Sequence, residues 1–138
     1  METKSLRDNA ISFKQASERC LEARNLTSVS FQMLIVPAIV NIAFSAELFL
    51  KFLITSKGVK IKGHNLMDLY SSLDDLTKSE IVNLTSYKRD EFEQILMIHS
   101  DLFVEWRYVH EKHNAMAELG FMKQFVDSLE INANKIPI

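Results

Sequence analysis

The chain has 138 residues, with 16 Lys+Arg against 18 Asp+Glu and a formal net charge of -2, so contact with nucleic acid has to come from a local site and not from a general basic coat. Its 47% hydrophobic and 25% charged residues supply enough apolar surface for one folded domain over 1–138 and set disorder aside. Only 3 Gly and 2 Pro disfavour a turn-rich β sandwich and favour long helices, and the single cysteine, Cys20, excludes an intrachain disulfide and a cysteine-type zinc site.

The first predicted helix covers about Thr3 to Arg24, where Leu6, Ala10, Phe13, Ser17 and Leu21 recur at helical spacing. The opening METKSLRDNA is charged and has no apolar signal core, so a cytoplasmic location is expected. Asn25 to Val36 is ambiguous. Pro37 marks a helix boundary, because it fits a first turn better than a helix interior. From Pro37 to about Ser56 nearly every side is apolar, as a central helix requires. The stretch from Asn25 to Ala46, which carries no formal charge, also has to be tested as a membrane span. Gln32, Pro37, Asn41, Glu47 and Lys51 fall in or beside it, so a buried helix and no membrane partner are expected.

Gly58 falls where this helix should be capped, and a basic loop follows, Lys57-Gly-Val-Lys60-Ile-Lys62-Gly-His64. Asn65 is placed to cap a short helix carrying Leu66, Leu69, Tyr70 and Leu73. Thr77-Lys-Ser-Glu80 has capping-box form and predicts the start of another short helix. A long helix is expected from Arg89 to Asn114, with Phe92, Leu96, His99, Phe103, Trp106, His110 and His113 along its stripe. The last predicted helix, about Ala117 to Leu129, is broken or bent near Gly120. The sum is an all-α antiparallel bundle in which two long helices supply much of the core.

The stretch Glu105-Trp-Arg-Tyr-Val-His-Glu-Lys-His113 gathers the groups best suited to chemistry. Phe103, Arg107, His110 and Asn114 share one helical row, and Arg107 and Glu111 are four apart. Arg107 offers a planar fork to a phosphate, His113 or His110 can move a proton near neutral pH, and Tyr108 can bond a phosphate or stack on a base. Along one straight helix Arg107 and His113 stand about 240° and roughly 9 Å apart, so they do not meet there. The competing structural reading makes His99 and His113 core-edge histidines and Arg107–Glu111 an ordinary helix pair. His110-Glu-Lys-His113 lacks zinc-protease spacing, and neither a phosphate-binding glycine loop nor a dinucleotide fingerprint is present. No metal and no cofactor is therefore expected. Lys60, Lys62 and His64 suit a phosphate backbone or simply a solvated connection. Glu47 and Lys51, four apart on the most apolar helix, must be partnered or face a crevice.

Three pieces in order resemble a HEPN domain (higher eukaryotes and prokaryotes nucleotide-binding). Ala43-Phe-Ser-Ala-Glu47-Leu-Phe-Leu-Lys51-Phe-Leu is similar to the family's A-x-E-x-x-L-K helix, Gly63-His64-Asn-Leu66-Met-Asp-Leu69 to its H-x-L-x-x-L helix start, and Phe103-Val-Glu-Trp-Arg107-Tyr108-Val-His-Glu111 to its Arg-centred late helix. The resemblance implies a helical bundle that dimerises and, in many members, cleaves RNA without metal in toxin–antitoxin or phage-defence systems. It implies that the family's Arg-x4–6-His motif falls on Arg107 and His113, near a dimer seam. His113 would activate the ribose 2′-hydroxyl, Arg107 would steady the phosphate, and an antitoxin or neighbouring defence protein would be a partner. The sequence departs from the pattern at Tyr108, where active members place a polar residue such as Asn, Asp or His directly after Arg. Arg107-Tyr108-x-x-Glu111 resembles branches that bind nucleotide, RNA or a partner protein without cleavage, which is the alternative reading.

Overall fold

In the computed structural model, residues 3–22, 24–25, 31–32, 34–60, 63–100 and 115–137 are described. They form α1 (Thr3–Cys20), β1 (Arg24–Asn25), β2 (Phe31–Gln32), α2 (Ile35–Thr55), α3 (Leu66–Ser71), α4 (Asp75–Asn83), α5 (Arg89–His99) and α6 (Ala115–Asn134). The fold among these residues is helical, apart from one short antiparallel ladder pairing Arg24 with Gln32 and Asn25 with Phe31. That ladder resolves part of the stretch that periodicity left ambiguous.

α2 is the central element. It packs most extensively on α1 and next on α6. Of its 21 residues, Ala38, Ile39, Ile42, Ala43, Ala46, Phe49, Leu50, Phe52, Leu53 and Ile54 are buried apolar side chains. By length and composition it is also a helix that could cross a membrane, and 67% of its most apolar window is buried within the protein. Pro37 sits in its first turn, where a missing N–H leaves no helical bond unmade.

α1 and α2 run antiparallel, as paired contacts show. The buried Ser17 hydroxyl donates to the Ala38 carbonyl and the Ser45 hydroxyl to the Ala10 carbonyl, each at 2.7 Å. Between them the Phe13 and Phe44 rings stack at 5.1 Å, and farther along the Arg7 guanidinium lies over the Phe52 ring. Ala10, Ala38 and Ala46 are fully buried at this seam, and small side chains let two backbones approach closely enough for hydroxyl-to-carbonyl bonds.

The short helices close the other side. Tyr70 of α3, Phe92 of α5, and Phe121 and Phe125 of α6 form one aromatic cluster with ring centroids 5.2–6.2 Å apart. His99 stacks on Phe121 at 5.4 Å, and its Nδ1 lies 2.7 Å from the Ile95 carbonyl. It is thus a core histidine, as the structural reading of the apolar stripe expects. The buried Ser128 hydroxyl donates to the Ile81 carbonyl at 2.6 Å, tying α6 to α4.

Several expected boundaries move. α1 ends at Cys20, short of Arg24. α4 begins after Asp74 and not at Thr77: the Asp74 carboxylate accepts from the Thr77 N–H at 3.3 Å and from the Thr77 hydroxyl at 2.6 Å. The acidic side chain three residues earlier takes the cap, and Thr77 becomes its donor. α6 runs unbroken through Gly120, from Ala115 to Asn134. An exposed glycine costs a helix about 1 kcal/mol relative to alanine, and the burial of Leu119, Phe121 and Met122 on either side outweighs it. α5 is described as far as His99, and the rest of the expected Arg89–Asn114 helix lies outside the described residues.

Candidate functional site: a buried carboxylate with an exposed imidazole

Two of the sequence pieces come together at Glu47. It lies at the middle of α2 and is only 5% exposed. Lys51, one turn later on the same helix, donates from Nζ to Glu47 Oε2 at 3.0 Å. His64, from the loop before α3, places Nδ1 3.0 Å from the same oxygen. The three side chains grade outward from the core: Glu47 is sealed, Lys51 is 19% exposed and His64 is 70% exposed. The second carboxylate oxygen, Oε1, is buried and accepts no hydrogen bond from the described residues.

Local structure fixes each member. Helical geometry brings residues four apart onto one face, so Glu47 and Lys51 pair within α2. The chain leaves α2 through Ser56, and the Gly58 N–H donates to the Thr55 carbonyl at 2.9 Å with φ +80. Gly63 has φ +112, a backbone setting that a residue with a side chain rarely adopts. No atom would crowd an added Cβ there, so the requirement for glycine is conformational. Asn65 then caps α3 by accepting from the Asp68 N–H at 3.0 Å. His64 therefore stands between a left-handed glycine and a helix cap.

With Glu47 ionised, its bond to the ring requires a hydrogen on Nδ1, which leaves Nε2 as the outer nitrogen of His64. Lys60, on the same loop, is exposed and makes no ion pair among the described residues. Lys57 is occupied elsewhere. It pairs with the Asp74 carboxylate and approaches the Thr77 hydroxyl at 3.2 Å. The hydrogen bond from Lys57, with that from Thr77, holds the Asp74 carboxyl well below the usual carboxylate range.

Of the residues that the sequence nominates, Glu47, Lys51 and His64 are brought together, and Lys60 is exposed nearby in the chain. Lys62, Arg107, Tyr108, His110, Glu111, His113 and Asn114 lie outside the described residues. Two charged clusters were not legible in advance. Arg89 reaches Asp75 at 2.8 Å, Glu93 at 3.3 Å and the Ser79 hydroxyl at 3.2 Å. The fully buried Tyr70 donates to the same Glu93 at 2.8 Å, and burial, then Glu93, pushes its phenol above the ordinary range. Lys14 of α1 meets Glu130 at 2.6 Å and Asp127 at 3.2 Å on α6. Burial lowers the Lys14 pKa, and these two carboxylates more than offset that. Both clusters join helices, and only their i,i+4 members had a sequence signal. A small cavity of about 150 Å³ lies between Leu53, Lys57, Thr77, Asn132 and Ile136, and none of Glu47, Lys51 and His64 lines it.

Comparison of the chain with protein-family models, with curated proteins and with solved structures finds no match.

Proposed function

We propose that the chain is a HEPN-like helical module that dimerises and cleaves RNA without a metal ion, in a toxin–antitoxin or phage-defence setting. The observation that supports this reading best is the meeting of two of its three family-like pieces. Glu47 and Lys51 come from the first piece and His64 from the second, and all three share one carboxylate oxygen at 3.0 Å. Residues 17 apart in the chain thereby form one constellation, as expected if the first two pieces describe a site and not two chance matches. The third piece supplies Arg107 to stabilise charge on the phosphate and His113 to take the proton of the ribose 2′-hydroxyl. Attack of the 2′-oxygen on phosphorus then yields a 2′,3′-cyclic phosphate and a 5′-hydroxyl. Tyr108, His110, Glu111 and Asn114 line the same stretch, with Lys60 and Lys62 as phosphate contacts.

The test is an incubation of the purified full chain with mixed RNA in EDTA, with the cleavage ends identified. Cleavage with those ends is expected, reduced about a hundredfold or more in Arg107→Ala and in His113→Ala while the helical spectrum persists. RNA binding that needs Arg107, tolerates His113→Ala and brings no cleavage would establish the non-catalytic binding module instead.

A further inference from the structure

A cavity of about 150 Å³ lies apart from the Glu47 site, where the last turn of α2 meets α4 and the C-terminal end of α6. Its lining divides by chemistry. Leu53, from the core, and half-buried Ile136 supply apolar wall. Two polar neighbours are already engaged: Lys57 pairs with Asp74, and the Thr77 hydroxyl donates to the same carboxylate at 2.6 Å. Three are not. Half-buried Glu80 and exposed Lys135 bring opposite charges to one small space, yet they make no ion pair with each other or with any other described residue. Asn132 is only 5% exposed. Its Nδ2 donates to the Ser128 carbonyl at 2.9 Å, which fixes the amide, and its Oδ1 accepts from none of the described residues.

The geometry points to a binding site for a free α-amino acid with a small apolar side chain, of the size of valine or leucine. The ammonium group meets the Glu80 carboxylate and Asn132 Oδ1, the carboxylate meets Lys135, and the side chain rests on Leu53 and Ile136. The site stands apart from the RNA-cleavage reading, since no residue given a part there is among the described residues that line the cavity.

Three arguments carry it. First, charge selects a zwitterion. A simple anion in the cavity would face Glu80 with like charge, a simple cation would face Lys135, and a wholly apolar guest would leave all three polar side chains without partners. Second, the acceptors suit an ammonium group. It has three N–H donors and no acceptor, and the unengaged Asn132 Oδ1 is an acceptor already held in place from behind by the Ser128 carbonyl. Third, size sets the class. A cavity of about 150 Å³ holds a molecule as large as benzene, so it takes a short aliphatic side chain and excludes a nucleotide. The charged groups lie toward solvent and Leu53 toward the core, so the ligand enters with its apolar end first. Because α2, α4 and α6 all contribute, an occupied site ties three helices together.

The test titrates the full chain with leucine to about 10 mM, enough to fill a site of millimolar affinity, while backbone amide NMR shifts are followed. Two analogues run beside it: isocaproate, which lacks the ammonium group, and isopentylamine, which lacks the carboxylate. The amides of Leu53, Glu80, Asn132 and Ile136 are expected to shift together along one leucine isotherm, and each analogue to bind about tenfold more weakly, as for one lost charged hydrogen bond. Glu80→Gln should bind leucine and isocaproate alike, and Lys135→Gln should bind leucine and isopentylamine alike, with the helical spectrum of each unchanged. No leucine-dependent shift at the cavity, or an analogue that binds as tightly as leucine, overturns the assignment, and the analogue series does so without any variant. Discrimination that survives both substitutions overturns it as well. None of these outcomes bears on RNA cleavage.

Discussion

Two polar seams cross the surface of the central helix, and they are built on opposite terms. Between α1 and α2, Ser17 and Ser45 each give a buried hydroxyl to a backbone carbonyl at 2.7 Å. These groups are neutral and satisfied, and their role ends with holding two helices at close range. Where α2 meets the loop before α3, a charged Glu47 is buried instead, with Lys51 and His64 on one oxygen and none of the described residues on the other. The first seam is what stability alone would select. The second sacrifices some stability to hold an exposed ring, and that contrast separates a structural joint from a candidate site.

Mutations sharpen the contrast, beginning with the largest effect. Lys51→Ala removes the lysine cation from a buried carboxylate, and a loss of about 3 kcal/mol is expected from urea unfolding. Glu47→Leu removes the charge together with its penalty, so its midpoint should stay close to that of the unaltered chain or rise. Ser45→Ala, at the neutral seam, should cost about 1 kcal/mol, because a formed hydrogen bond is lost and no charge is stranded. A drop as large as that of Lys51→Ala would erase the distinction between the seams.

Asp74→Ala probes a third kind of polar contact, a helix cap that also pairs with Lys57. Losing the cap should cost about 1 kcal/mol at neutral pH. Lys57 and Thr77 lower the folded-state pKa of Asp74, so its contribution is present above the unfolded carboxylate value of about 4 and fades as pH falls toward the folded value. The gap between Asp74→Ala and the unaltered chain should therefore narrow in acid unfolding curves. The smallest effect belongs to His64→Ala, expected within about 0.5 kcal/mol because the ring is itself 70% exposed and Lys51 remains on the same Glu47 oxygen. A large destabilisation there would mark His64 as structural.

The helical character was legible because apolar residues recur at helical spacing. Leu6, Ala10 and Ser17 in α1 and Phe92, Leu96 and His99 in α5 are buried as that spacing requires. The Asn65 cap was legible for the same local reason. Competition between neighbours was not. Asp74 and Thr77 both have capping chemistry, and only the fold shows that the carboxylate wins and uses Thr77 as donor. Gly120 misleads in the same way, since its local helix penalty is outweighed by packing of Phe121 and Met122 that no window of sequence displays. At the site, spacing made the Glu47–Lys51 pair visible. The bond from His64 closes across 17 residues and depends on the positive φ of Gly63, so periodicity could not reveal it. Lys14 with Asp127 and Glu130 is likewise a purely tertiary meeting.

The central claim is that the Glu47 carboxylate serves the exposed imidazole and not the stability of the bundle. The most direct measurement takes Glu47→Leu and reads unfolding free energy and RNA cleavage on the same preparation. The account predicts a bundle as stable as the unaltered chain, or more so, whose cleavage is strongly reduced. A stable bundle that cleaves at the unaltered rate, or one that unfolds for want of the carboxylate, would contradict it.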